Sequence, residues 1–464
     1  MHSVKHNGEG HIAVDMEKLV SSYKSDQSKS DQSKSDQSKS DQSREFCLSR
    51  ESCIFKIPSI LSRHNPKAYS PNAFSFGPWH HDDDHLKLTH ALKINYLKDL
   101  LHPFPDREAK LLDLEAAVTE MEEKVRQCYA EQISFHDDRK FARILLLDGC
   151  FIIALFLKSA KVISRDPDDP IFGMACMLQF LYHDLILLEN QIPWFVLERI
   201  FDLTKESIKQ SADIELHQLA IQFFGNIFTS GRPPPEVKDS DTDKIKHIID
   251  LLRTYLFLPY LKNTCQKQPS EQQNSSPQKT TINEERESHK HLPSASRLTE
   301  AGVKFKRSND SIFHIRFCKG VLEVPSILIH NTTETIFRNL IAYEQCYYHL
   351  EPIVTSYAKL MDNLIDKVDD LHILCKRGII SNSMSSEDAT QLFNKLYNDA
   401  RIPRSHCSEI YEEVNSYCRR GWPRWRAAYT QNYFTKPWAI VSQLFAIMIL
   451  TLTLLQVVPT FLLK

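Results

Sequence analysis

The chain has 464 residues, of which 42% are hydrophobic and 25% charged, so most of it can fold around apolar cores. Its 57 Lys and Arg residues nearly balance 59 Asp and Glu residues, and with a net charge of -2 the sequence predicts no nucleic-acid partner. The 11 glycines are too few and too scattered to build a Rossmann turn or a P-loop. This excludes the common nucleotide-binding enzymes, and no cofactor is predicted.

The N-terminal tail, residues 1–45, is predicted to be disordered. Residues 25–44 repeat the unit SDQSK or SDQSR four times, a five-residue period that matches neither helix nor strand and contains no apolar residue. The tail also lacks the apolar stretch of a signal peptide. A second polar stretch, 262–291, predicts a flexible insertion that separates two folded blocks, 46–261 and 292–437.

The first block, 46–261, is predicted to be helical. Apolar residues recur at helical spacing at positions 88, 92, 96 and 100, and at heptad spacing between Leu111 and Cys128. The heptads could form a coiled coil with a partner or pack inside the domain, and their short extent favours packing. Ile144–Leu157 is intensely apolar but too short to cross a membrane, which predicts a buried helix around Asp148.

The second block, 292–437, opens with the clearest strand pattern in the sequence. Phe313, Ile315 and Phe317 alternate with polar residues, Lys319-Gly320 can turn the chain, and alternation resumes after the turn. This predicts a small β-hairpin, followed by helices from Glu334 onward. The fold class is therefore mainly α, a helical bundle-like domain with a β-hairpin in the second half.

The C-terminal segment is predicted to be a transmembrane helix over residues 438–463. The run from Trp438 to Leu463 contains no charged residue, and it is longer than the roughly 20 residues that a membrane helix needs. Arginines and aromatic residues precede it, and such residues favour the cytoplasmic membrane interface. The predicted interface residues are Arg419, Arg420, Trp422, Arg424, Trp425, Arg426, Lys436 and Trp438.

From this segment we expect a single-pass membrane protein with most of the chain in the cytoplasm, the plasma membrane as its location, and the lipid bilayer as a partner. The number and spacing of the cysteines also favour a cytoplasmic location. Eleven are present without a CxxC pair, a pattern typical of reduced thiols rather than of a disulfide framework or a zinc site.

Two groups of residues could carry chemistry. The cluster from His80 to His85 has the side chains that divalent metals prefer, but consecutive residues converge poorly on one ion, so a solvated loop before a helix is favoured. Asp148, His183, Asp184 and Glu189 lie in apolar stretches, where they could form a buried acid–histidine site or tie helices together. We expect the second role and predict no catalytic, cofactor or metal residues.

Several stretches together resemble the plant family called domain of unknown function 247. They include AYSPNAFSFGPWHH at 68–81, LLLDGCFIIALF at 145–156, DLILLENQIPWFVLE at 184–198 and FCKGVLEVPSILI at 317–329. The matching motif residues are Pro78, His80, His81, Asp148, Gly149, Glu189, Asn190, Gln191 and Pro193. Two positions depart from the family pattern: Asp82 replaces a glycine, and Thr89-His90 replaces a Met-Glu pair before Lys93.

The resemblance implies a membrane-anchored plant protein whose family has no established catalytic residues. Some grass relatives act in pollen recognition, which by analogy supports a recognition role. We therefore expect a non-enzymatic, membrane-tethered interaction protein with protein partners. The alternative is an enzyme that uses the buried acids and histidines of the helical block.

Overall fold

The computed structural model describes residues 51–131, 133, 138–206, 208, 214–228, 244–254, 291–308, 313–330, 332–402, 405–420, 441–442 and 445–453. The predicted disordered tail, 1–45, and all of the predicted insertion 262–291 except residue 291 lie outside these residues. The described chain forms two compact units. The first contains the described residues up to 254 together with 330–354 and 398–401, and the second contains the rest. The predicted block boundaries, 46–261 and 292–437, stay predictions.

The first unit is built from helices. Its elements in chain order are α1 (Ser59–Ser62), α2 (His90–Leu101), α3 (Arg107–Glu120), α4 (Glu122–Cys128), α5 (Asp138–Ser159), α6 (Pro170–Gly173), α7 (Ala175–Leu185), α8 (Trp194–Lys205) and α9 (Leu216–Phe228). Two short 3-10 helices, Pro66–Tyr69 and Asp84–Thr89, lie between α1 and α2. This unit also contains the helix Thr333–Cys346, which comes later in the chain, after residues of the second unit.

Helix α5 forms the centre of the first unit. Its residues from Leu145 to Leu157 are almost completely buried, as the apolar stretch 144–157 predicts. Helices α2, α3, α8 and α9 pack around it. Burying a side chain such as leucine or phenylalanine contributes about 1.5–3 kcal/mol, so this helix supplies much of the apolar core.

The heptad stretch between Leu111 and Cys128 folds as two helices that meet at Met121, which is the C-cap residue of α3 and the N-cap residue of α4. Leu111, Leu114 and Val118 are buried, and α3 packs against α5 and α8. The heptad residues therefore pack inside the unit, which was the favoured alternative. The stripe predicted from Leu88 is only partly present, since Leu88 is 86% exposed in the 3-10 helix before α2.

The second unit combines helices with short strands. Its elements are α10 (Ala295–Glu300), β1 (Lys304–Ser308), β2 (Arg316–Cys318), β3 (Val321–Pro325), β4 (Ile327–Ile329), α12 (Ile353–Leu364), α13 (Val368–Lys376), β5 (Ile380–Asn382), α14 (Ser386–Leu396) and α15 (Ser408–Arg419). The label α11 belongs to the first-unit helix Thr333–Cys346. The first two residues of α12 belong to the first unit. Helix α13 packs against α10, α14 and β5.

The predicted β-hairpin is present. Strands β2 and β3 pair antiparallel with Phe317 opposite Leu322. Lys319 and Gly320 turn the chain with φ of 49° and 79°, and two positive φ values are what a tight type I′ hairpin requires. A Cβ at position 320 would lie 2.4 Å from the Tyr417 hydroxyl, so glycine is needed there for space as well. β1 adds to β3 in parallel, and β4 pairs with β5 in a separate parallel ladder.

The prediction of a transmembrane helix over 438–463 is wrong. No helix among the described residues is both long enough and apolar enough to cross a membrane. Helix α5 has sufficient length but carries Arg143, Asp148 and Lys158.

The single-pass membrane location, with a cytoplasmic bulk, depended on that span and is corrected with it. Of the residues assigned to a membrane interface, Arg419 ends α15 and Arg420 follows it. The others, Trp422, Arg424, Trp425, Arg426, Lys436 and Trp438, lie outside the described residues.

Helix α7 is buried along only part of its length. Leu181, Asp184 and Leu185 in its second half are buried, whereas Phe180 is 38% exposed and Met174, just before the helix, is 48% exposed. Hydrophobicity alone predicts burial but not which half of a helix the core covers.

Candidate functional site

Two family motif residues, Asp148 and Asn190, bind one segment without helix or strand, Asn72–Gly77, which we call the motif segment. It lies in the first unit and contacts α5, α7 and the loop between α7 and α8. Phe74 and Phe76 are fully buried, and their rings stack on Phe151 of α5 at centroid distances of 5.5 and 5.9 Å. Because the segment is not in a sheet, its backbone N–H groups need side-chain acceptors.

Asp184, near the C-terminal end of α7, accepts hydrogen bonds from three of these N–H groups. Its carboxylate accepts hydrogen bonds from the backbone N–H groups of Asn72, Ala73 and Phe74 at 2.7, 2.8 and 2.7 Å. The side chain is fully buried. Three bonds from backbone donors hold a buried carboxylate in a fixed place, since an unsatisfied buried charge is costly.

Asn190 and Gln191 continue this pattern in the loop before α8. The Asn190 amide accepts from Phe76 N at 2.6 Å and donates to the carbonyl oxygens of Phe74 and Asp184, both at 2.9 Å. The Gln191 side chain donates to the carbonyl oxygens of Leu185 and Leu187 at 2.7 and 2.8 Å. Both amides therefore take the place of backbone partners, and Pro193 then begins α8 as its N-cap residue.

Gly77 ends the motif segment with a positive φ of 74°. Its N–H donates to Asp148 Oδ2 at 2.9 Å. A Cβ there would lie 2.7 Å from the Gln191 carbonyl oxygen and 2.9 Å from the Tyr129 hydroxyl, so only glycine fits. Pro78, the next motif residue, is buried.

Asp148 is joined to Lys93, the lysine that follows Thr89-His90 in the family pattern. Lys93 Nζ lies 2.5 Å from Asp148 Oδ1 and 2.5 Å from the Ser75 carbonyl oxygen, and both charged side chains are 2% exposed. Burial raises the pKa of Asp148, while Lys93 and the Gly77 amide lower it. The buried pair thus connects α2, α5 and the motif segment.

Gly149, the motif residue after Asp148, has a packing role. A Cβ at this position would lie 2.6 Å from Ile200 Cδ1, so the glycine lets α5 approach α8 closely. No ligand or reacting group needs to be invoked for it.

His80 lies between two carboxylates at the edge of the motif segment. Its Nδ1 is 3.1 Å from Asp83 Oδ2 and its Nε2 is 3.5 Å from Glu189 Oε2. Burial lowers the pKa of His80, but hydrogen bonds to Glu189 and Asp83 outweigh it and raise the pKa. Glu189 also accepts from Ile57 N at 2.6 Å. A histidine whose two ring nitrogens both face carboxylates favours the charged form, which suits it poorly to act as a base.

His81 has a different environment from its neighbour. Burial lowers the pKa of His81 to about 3, and its ring packs against the ring of His90 at 6.2 Å. The rest of the cluster is a polar turn in which Asp84 pairs with Lys87 at 2.7 Å. Across the described residues no group of three or more His, Cys, Asp or Glu side chains could hold a metal ion.

The acid–histidine site suggested by the sequence is only partly assembled. His183 Nδ1 lies 2.9 Å from Asp184 Oδ1, but the Asp184 oxygens also accept the three backbone amides. Asp148 instead pairs with Lys93, and Glu189 pairs with His80. Neither carboxylate therefore joins His183 and Asp184. The arrangement fastens the chain at several points.

Sequence reasoning missed several buried charged residues of the first unit. Lys158 is almost fully buried; its Nζ lies 2.9 Å from Asp169 Oδ2, 2.8 Å from Asp99 Oδ2 and 3.8 Å from the centre of the Tyr96 ring. Arg253 pairs with buried Glu344 at 3.2 Å.

A single lysine on an otherwise apolar helix face is the signal that could have identified Lys93 and Lys158.

Comparison with known proteins places these residues in a family context. A sequence profile of the family DUF247, described as plant protein of unknown function, matches residues 54–452. UPF0481 protein At3g47200 of Arabidopsis thaliana is 29% identical over 419 residues, covering 87% of this chain and 85% of the relative. Putative UPF0481 protein At3g02645 of the same plant is 24% identical over 487 residues, covering 87% and 89%. No solved structure matches the chain.

Proposed function

The chain belongs to the DUF247 family of plant proteins of unknown function, and from this premise we propose that it is a non-enzymatic interaction protein whose motif residues hold the fold together. The observation that carries the proposal is the Asp184 carboxylate, whose oxygens accept three backbone N–H groups of the motif segment. A group bound in this way positions the chain and has little freedom to exchange protons with a substrate.

The other motif side chains support the same role. Asp148 binds Lys93 and the Gly77 amide, and Asn190 bridges Phe74 and Phe76. Active sites also bury charged groups, but there they converge on a cleft, whereas here each of these side chains contacts the motif segment or an adjacent helix. The recognition role and the protein partners expected from the sequence remain part of this proposal.

The buried Lys93–Asp148 pair offers a direct test between scaffold and catalyst. In the double variant Lys93→Met with Asp148→Asn, both charges are removed together while the volumes are nearly kept, and the introduced amide oxygen can still accept from Gly77 N. Replacing both members of a buried ion pair by neutral residues of similar volume is often close to neutral for stability. We expect the variant to melt close to the wild type.

The functional readout is proximity labelling in plant cells with the full chain, together with complementation of plants that lack the protein. A scaffold role predicts that the double variant labels the same proteins as the wild type and complements equally. The matched control is the single variant Lys93→Met, which leaves Asp148 charged and without its lysine and should lower stability and labelling together. A double variant that melts like the wild type yet no longer complements would favour the enzyme.

A further inference from the structure

Two cysteines from distant parts of the first unit lie side by side. Cys53 N donates to the Cys128 carbonyl oxygen at 2.8 Å, and the following residues, Ile54 and Tyr129, form a parallel β-bridge. In such a bridge the preceding residues are also neighbours and point to the same face. Adjacent strands are about 4.8 Å apart, within the Cα separation of about 4.4–6.8 Å that a disulfide spans.

The two thiols also interact with each other. Contact with the Cys128 thiol, together with burial, raises the pKa of Cys53, and contact with the Cys53 thiol lowers the pKa of Cys128. Lys246 and Lys124 lower the pKa of Cys128 further, against the raising effects of burial and of Glu51. A thiolate is the reactive form of cysteine, so Cys128 is the more reactive member.

The other described cysteines provide contrasts. Cys150 is completely buried in α5, and burial alone raises the pKa of its thiol. Cys176 and Cys318 are exposed free thiols. Position, contact with a second thiol and nearby positive charge therefore distinguish Cys53 and Cys128 within the described part of the chain.

We propose that Cys53 and Cys128 form a reversible disulfide that peroxides close and small thiols reopen. The Cys128 thiolate attacks hydrogen peroxide, breaking its O–O bond to give a sulfenic acid and hydroxide, which takes up a proton to become water. The Cys53 sulfur then displaces the sulfenic hydroxyl, which leaves as a second water, and the S–S bond forms. Two electrons pass from the two thiols to the peroxide, and exchange with a thiol such as glutathione returns them.

The position of the pair gives the disulfide a structural effect. The Cys53 carbonyl oxygen accepts from His247 Nε2 at 3.0 Å, and Tyr129, next to Cys128, donates to the Gln191 carbonyl oxygen at 2.9 Å. The bond would fasten the segment around Cys53 to the end of α4, beside the motif segment. This inference is independent of the proposed interaction role.

Peptide mapping of the oxidised full-length protein tests the proposal. Trypsin cleavage after Arg50, Lys56, Arg126 and Arg139 places the two cysteines in ESCIFK and QCYAEQISFHDDR, each with a single thiol. After treatment with hydrogen peroxide and blocking of free thiols, we expect these peptides joined and lighter by two hydrogen atoms, and separated again by reduction. If Cys176 or Cys318 is oxidised while the joined peptide is absent, the proposal is overturned.

A second measurement uses stability and a matched variant. Closing the chain between positions 53 and 128 restricts the unfolded state, so the oxidised wild type should melt at a higher temperature than the reduced protein. The variant Cys53→Ala should lose this shift, and Cys150→Ala should keep it even if its own melting temperature is lower. An equal shift in Cys53→Ala would assign the effect to another cysteine and overturn the proposal.

Discussion

At the residue scale, buried polar side chains hold this fold together more than the exposed charges in the turn from His80 to His85 do. Asp184, Asn190 and Gln191 all replace backbone partners for segments that belong to no sheet. Side-chain bonds of this kind contribute about 0.5–1.5 kcal/mol each, but leaving a buried donor without a partner costs about 1–3 kcal/mol. Removing one of these side chains should therefore cost more stability than the net contribution of its hydrogen bonds suggests.

Asp184→Ala is expected to lower the free energy of unfolding of the first unit by about 3–5 kcal/mol, because the carboxylate is fully buried and three backbone N–H groups, that of buried Phe74 among them, and His183 lose their acceptor. Urea unfolding followed by circular dichroism measures the loss. The control is Asp202→Ala, which removes an exposed partner of Lys205 on α8 and should cost no more than about 1 kcal/mol. Equal effects of the two substitutions would contradict the scaffold role of Asp184.

The sequence does reveal part of this residue-scale picture. Asp148 and Asp184 stand out because charged residues are rare in stretches as apolar as α5 and α7, and the structure finds both buried. Their partners are not readable in the same way. Lys93 lies 55 positions from Asp148, so even where a lysine on an apolar helix face can be recognised, the sequence does not show which carboxylate it meets.

At the scale of elements, backbone geometry imposes the strictest requirement at Gly77. A residue with a Cβ would have to adopt a left-handed conformation, which costs about 1–3 kcal/mol. Its Cβ would also press on the Gln191 carbonyl oxygen, a backbone atom that cannot move aside as a flexible side chain can.

We therefore expect Gly77→Ala to lower the melting temperature strongly, with a loss of at least about 2 kcal/mol in stability. Gly173→Ala is the matched control, since no atom lies within 4 Å of its added Cβ. It should be neutral or stabilising by up to about 1 kcal/mol, because alanine restricts the unfolded chain. Differential scanning fluorimetry compares the two variants, and a Gly77→Ala protein as stable as Gly173→Ala would refute the packing argument.

Elements were predictable where their periodicity was strong. The hairpin β2–β3 was found from alternation and the Lys319-Gly320 turn, and α5 from its apolar length. Strand β1 was missed because KFKRS buries only Phe305 and Ser308 and so carries little hydrophobic signal. The predicted transmembrane helix shows the opposite error, because an uncharged run behind arginines and aromatic residues does not by itself specify a spanning helix.

At the scale of the whole molecule, the chain folds into two units, and its composition does not show which residues belong to which unit. The chain returns to the first unit at 330–354 and 398–401 after entering the second. A polar linker can be recognised in sequence, but such a return depends on long-range contacts like the bonds from Asn339 to Leu188 N and the Ala68 carbonyl oxygen. Contacts of this kind leave no periodic pattern in the sequence.

The global stability of the first unit should depend on pH through its buried histidines. Burial lowers the pKa of His247 to about 3, of His81 to about 3 and of His90 to about 4. Unfolded histidine has a pKa of about 6.5, so between these values the unfolded chain binds more protons than the folded one. Stability is therefore fully present above about pH 6.5 and decreases as the pH falls toward the folded pKa values.

For His247, whose ring is completely buried, lowering the pH from 7 to 5 should remove about 2 kcal/mol at most, and less for the partly exposed His81 and His90. In His247→Gln an amide can still donate to the Cys53 carbonyl oxygen but cannot gain a proton. We expect this variant to be less stable than the wild type at pH 7 but to lose less on acidification, and His102→Gln, at an exposed position, to follow the wild type. Urea midpoints at both pH values measure the difference. A His247→Gln protein with the full acid sensitivity of the wild type would show that other groups cause it, because buried His247 would then contribute no proton uptake on unfolding.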